Sequence, residues 1–178
     1  SCDEFAKSMK ELGYASLAID LRGHGQSTGG PNGYQSFTDK QHQDSIYDLS
    51  AGWNFLKLRG AAPDRTTLIG ASIGANLSLQ FLINHLEING GVLLSPGNYK
   101  GLDSGELVKK LPPNQKVVFV ASRKDGRSAG NNAEDNQRYY NLASQVKNRH
   151  LILFDGAGHG PELFGLSEEF NLLEAIKK

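Results

Sequence analysis

The feature that most constrains this chain is the junction Thr66-Thr67-Leu68-Ile69-Gly70-Ala71-Ser72-Ile73-Gly74-Ala75-Asn76. A β-branched and apolar run stops at Gly70, and a helical pattern (Leu77, Leu79, Phe81, Leu82, Leu86) begins within a few residues. A strand that turns this abruptly into a helix holds the residue between them in strained backbone geometry and points its side chain away from the sheet. Glycines two before and two after Ser72 let strand and helix pass without a Cβ clash. The Ser72 hydroxyl then stands at a helix N-terminus, where unpaired backbone N–H groups can stabilise an oxyanion.

Gly-x-Ser-x-Gly occurs three times, so context has to choose. The copy at Ser27 runs into Gly30-Pro31-Asn32-Gly33, which is turn chemistry, and the copy at Ser128 follows the polar Arg123-Lys124-Asp125. Only Ser72 follows a strand directly and opens an apolar helix.

Around this junction the chain alternates. Residues 3–12 read as a helix, with Phe5, Met9 and Leu12 on one face, Ser1 and Glu4 spaced as a capping box, and Gly13 as the stop. Tyr14 to Ile19 reads as a buried strand, followed by the glycine-rich loop Asp20-Leu21-Arg22-Gly23-His24-Gly25-Gln26-Ser27. A helix is expected over about 38–59 and further strands at 91–95, 116–121 and 150–154. Helices are expected at 133–147 and 161–178, and the polar stretch 96–115 holds Pro112-Pro113. Strands apolar on both faces, alternating with helices, predict an α/β fold: a mostly parallel sheet with helices on both faces, in one domain over 1–178.

Composition narrows the partners. Lys plus Arg equals Asp plus Glu at 19 each, so no charged field points to nucleic acid or an anionic membrane, and no apolar run reaches the ~18 residues of a membrane span. The single cysteine, Cys2, excludes an internal disulfide framework and a cysteine-rich metal site. No cofactor or metal is expected, and a cytoplasmic location is.

A serine needs a base, and the base an orienting acid. Among five histidines, His42 and His85 lie in helical stretches and His150 opens a strand, so packed or solvated roles are expected for them. His159 stands in Asp155-Gly156-Ala157-Gly158-His159-Gly160 directly after a strand, where parallel sheets bind ligands. His24, in its own glycine-rich loop, is the rival base. For the acid, Asp125 follows the strand at 116–121; Asp155 as a loop cap, Asp135 as first-turn helix charge, and an ion pair of Asp125 with Arg123 or Lys124 are the competing readings.

The chain resembles the α/β-hydrolases along essentially its whole length, nearest to the dienelactone-hydrolase-like and small carboxylesterase branches. The segment 20–27 is similar to the loop after that family's fourth strand, and 68–75 to its nucleophile elbow. The resemblance implies Ser72 as nucleophile, His159 as general base, Asp125 as its orienter and the Ile73 N–H as one oxyanion donor; His24 becomes loop structure. It also implies an N-terminally incomplete chain, because the family's third strand, with its oxyanion loop, has no counterpart here and belongs between its fourth and fifth. Residues 14–19 and 66–70 should then flank a gap and share no ladder. With only 96–115 where relatives carry a cap, no helical cap domain is expected. The function implied is hydrolysis of small soluble esters through an acyl-enzyme. The alternatives are a thioesterase or peptidase of the same fold, or a non-catalytic chain used for binding or assembly. Turnover assays of serine variants separate the three motif copies: Ser72→Ala should abolish activity, and Ser27→Ala and Ser128→Ala should leave most of it.

Overall fold

The computed structural model describes residues 2–126, 132–165 and 171–173. Four strands carry the fold: β1 (Thr67–Ala71), β2 (Gly90–Leu94), β3 (Lys116–Ser122) and β4 (Asn148–Phe154). All pair in parallel in the sequential order β1-β2-β3-β4. Helices α1 (Cys2–Glu11), α2 (Asp39–Gln43), α3 (Ile46–Lys57), α4 (Ile73–Asn84), α5 (Ser104–Val108) and α6 (Asn132–Leu142) surround them.

Sequential parallel strands need a crossover at each step, and right-handed crossovers taken in one direction put their helices on one face. The burial pattern follows this. Leu93, Val117 and Phe119 point into a core with Trp53 of α3, Leu79 and Phe81 of α4, Val108 of α5 and Tyr139 of α6. The alternate residues Val92, Leu94 and Val120 point the other way, onto Phe5 of α1, Leu163, Phe164 and Leu172. A period of two therefore divides each strand between two buried faces, as expected for a parallel sheet covered on both sides.

Several sequence expectations need correction. Tyr14 to Ile19 forms no strand: the segment has no regular structure, is exposed, and is joined to β1 by no ladder or backbone hydrogen bond. An apolar run becomes a strand only when a neighbouring edge accepts its N–H and C=O groups, and no described residue supplies one. Leu17 and Ile19 instead lie over Gly52 of α3. The helix read over 38–59 is two: Thr38 caps α2 with Gln41, and the chain turns at Asp44–Ser45 before α3. Within 96–115 the short α5 buries Ser104, Gly105 and Val108 and packs against α4 and α6, so it forms part of the body and not a cap. The segment after His159 begins as a 3₁₀ turn over Gly160–Phe164 in place of an α-helix. Much of the remaining expected helix lies outside the described residues, as do Ser1 and the motif copy at Ser128.

The glycine-rich loop after Asp20 is built by that residue: its carboxylate accepts the Gln26 N–H (2.9 Å) and its carbonyl the Ser27 hydroxyl (2.6 Å). The Arg22 guanidinium grips Asp48 of α3 through Nε (3.1 Å) and Nη2 (2.8 Å). Beyond it, buried His42 meets Phe37 and Tyr99 edge-on at 5.5 and 5.4 Å, joining this loop to the chain after β2. Burial, and then the nearby Lys100, hold His42 below its usual pKa of 6.5, against a smaller opposing effect of Asp39. The unfolded chain thus binds a proton near pH 6 that the folded chain refuses, so stability falls as pH drops through this window. Thermal melts between pH 7 and 5 should show the melting temperature falling less steeply for His42→Gln than for the wild type.

Candidate active site

Parallel register places the carboxyl ends of the strands side by side, and the candidate residues all leave from there. The Ser72 N–H donates to the Leu94 carbonyl (2.8 Å), one step beyond the last β1–β2 pair, Ala71↔Leu94. The chain then enters α4 at once, and Ser72 takes φ 53°, ψ −116°. For a non-glycine residue this conformation costs on the order of 1–3 kcal/mol. A Cβ on Gly70 would run into the Gly74 carbonyl, so the first glycine of the motif is required by close approach; a Cβ on Gly74 would meet open space. The Ile73 and Gly74 N–H groups begin α4 without an acceptor among the described residues.

His159 follows β4, and its Nε2 lies 3.0 Å from Ser72 Oγ. Its Nδ1 lies 2.6 Å from Asp125 Oδ2. The Asp125 side chain is fully buried and that of His159 is 17% exposed, so the contact between them is shielded from solvent while the imidazole keeps some exposure. Arg123, the neighbour that could have claimed Asp125, turns to exposed Asp155 at 3.2 Å. Asp135 sits in the first turn of α6 and pairs with Arg138. Ser72, His159 and Asp125, three residues far apart in sequence, thus form one hydrogen-bonded chain, and Ile73 presents its N–H beside it.

The remaining candidates lie elsewhere. His24 stacks on Tyr34 (centroids 4.3 Å apart, 11° between planes), and its Nδ1 faces the Arg22 carbonyl at 3.0 Å. His85 stacks on Phe81, and His150 meets Asn148. Ser27 is spent on Asp20. Among the described residues no group of three or more His, Cys, Asp or Glu side chains is arranged to hold a metal. Among the described residues no helix is long and apolar enough to cross a membrane. A groove of about 480 Å³ between α2, α3, α4 and α5 is lined by none of Ser72, His159 and Asp125.

Comparison with known proteins bears on this arrangement. The profile of the family described as "Serine aminopeptidase, S33" matches residues 1–142. The chain belongs to that family. S33 proteins are α/β-hydrolases, and solved structures agree on the fold. The Pyrococcus furiosus esterase Pf2001 superposes with a TM-score of 0.68 at 24% identity, covering 89% of this chain and 66% of that one. SOBER1 of Arabidopsis thaliana gives 0.55 at 15%, with 79% and 63% covered. An uncharacterized Bacillus cereus protein gives 0.64 at 18%, with 98% and 53% covered. The S33 chain thus spans just under two thirds of the first two structures and about half of the third, and likeness at these identities speaks for fold alone. No curated protein matches it significantly in sequence.

Two contacts of this S33 site escaped sequence reasoning. Gly160 takes φ +52°, and a Cβ there would stand 3.0 Å from the Ser72 Cβ. The Ser95 hydroxyl accepts the Gly160 N–H at 3.0 Å. The only sequence sign of the first is a glycine after His159, which reads equally as loop. Gly160→Ala should slow fluorophosphonate labelling of Ser72 by about 10²-fold through misplacement of the pair. Gly126→Ala, into open space, should leave labelling unchanged.

Proposed function

We propose that this S33 chain is a serine hydrolase acting on small, soluble carboxylic esters through an acyl-enzyme. The observation that carries the reading is the continuous chain Ser72 Oγ–His159–Asp125, at 3.0 and 2.6 Å. A serine at its ordinary pKa is a weak nucleophile, and a neutral imidazole at hydrogen-bonding distance is the base it needs. Ser72 Oγ attacks the acyl carbonyl while its proton passes to His159 Nε2. Asp125 holds Nδ1–H and stabilises the imidazolium without taking the proton. The tetrahedral oxyanion is bound by the Ile73 N–H at the positive end of the α4 dipole. His159 returns the proton to the leaving alcohol, and water then clears the acyl group by the same route in reverse. The chain acts as one domain without a cofactor, and the cytoplasm is its proposed compartment.

The lack of a cap over 96–115 supports an open site without interfacial activation. A second reading, a peptidase, draws on the family's description as a serine aminopeptidase; the first is preferred because Pf2001, among the structures sharing the fold, is an esterase. The third, a non-catalytic binding chain, would leave the strained Ser72 backbone without a purpose. In the full-length protein a fluorophosphonate probe should label Ser72 and fail on Ser72→Ala. Nitrophenyl esters of rising chain length should be cleaved, shorter acyl groups faster, with no jump in rate at the micelle or emulsion threshold. An unlabelled wild type overturns the hydrolase reading, and aminoacyl anilides cleaved in preference to esters replace it with the peptidase.

A further inference from the structure

We infer that Ser95 is a positioning residue, one that holds the His159 loop against Ser72 through its hydroxyl; this rests on the hydrolase reading above. Ser95 directly follows β2, beside the elbow, and is 3% exposed. Its backbone takes φ 51°, nearly the same left-handed value as Ser72 at 53°. Its N–H continues the sheet to the Val120 carbonyl at 2.8 Å, as that of Ser72 does to Leu94. The chain is anchored again at the next residue, where the Pro96 carbonyl accepts the buried side-chain amides of Asn132 (3.1 Å) and Asn136 (3.4 Å). The backbone that carries the hydroxyl is therefore held on both sides, and the Gly160 N–H donates to the hydroxyl in a buried setting.

That bond acts on the loop at its most sensitive point. Gly160 follows His159 and touches Ser72, with its missing Cβ only 3.0 Å from the serine's own. On the solvent side the His159 N–H donates to Glu162 Oε2 at 2.9 Å. The successive amides of His159 and Gly160 are thus both held, and only the Ser95 end is buried. If the loop slides, Nε2 leaves the 3.0 Å position at which it can take the Ser72 proton. Shape alone does not call for serine at 95, because glycine adopts the same φ without strain. The hydroxyl is what glycine cannot supply.

The test compares wild type, Ser95→Ala and Ser95→Gly in the full-length protein, with 4-nitrophenyl acetate as substrate and thermal melts alongside. Ser95→Gly keeps the backbone conformation and guards against a misfolded alanine variant. Both variants should lose about tenfold in kcat, the equivalent of one buried hydrogen bond, with KM within about twofold. Ser95→Gly turning over at the wild-type kcat would mean that only backbone shape matters and overturns the positioning role alone. So would a loss confined to KM. A wild type inert toward both the ester and the fluorophosphonate overturns the hydrolase reading and this role with it.

Discussion

The parallel register at the carboxyl ends of the strands is the constraint on which the rest of the structure depends. Ala71 stands opposite Leu94 and Leu94 opposite Val120, and β3 and β4 run two residues further to Ser122 opposite Phe154, so the strand ends form one stepped row. The chain leaves that row at Ser72, Ser95, Arg123 and Asp155, each one step past its strand. The Ser72, Ser95 and Arg123 amides each donate once more to the neighbouring strand before the chain turns away. Side chains distant in sequence therefore meet above one rigid edge, which carries geometry more accurately than free loops would.

Much of this was legible beforehand. The four strands at 67–71, 90–94, 116–122 and 148–154 match the apolar runs read from sequence to within one or two residues. An S33 α/β-hydrolase fold agrees with the resemblance carried by the elbow. Ser72, Asp125 and His159 were singled out because each follows a strand, and the structure sets them within hydrogen-bonding reach. Strand ends are the part of a parallel sheet that hydrophobic runs locate best.

What sequence could not supply was partnership. Tyr14 to Ile19 has the composition of an interior strand, but composition does not say whether an edge is present to pair with. The turn at Asp44–Ser45 was hidden because 39–45 is polar and carries no glycine or proline to mark a break before the apolar face of Ile46, Leu49, Trp53 and Leu56. Ser95 was invisible for a different reason. It precedes Pro96, and a residue before proline is expected in the extended region; a left-handed φ there follows from the surrounding packing, not from the dipeptide.

The two left-handed serines set stability and chemistry against each other. Glycine at 72 or 95 would adopt the observed backbone freely, and at 95 the surrounding ladder and carbonyl contacts would survive. Relief of the strain of a positive φ is worth on the order of 1–3 kcal/mol, a sizeable part of the 5–15 kcal/mol by which a domain this size is stable. A search for thermostable variants would thus be drawn to the positions where a hydroxyl faces His159 or its loop. Gains in melting temperature at 72 and 95 would select against the chemistry of the site, whereas gains at ordinary surface positions would not.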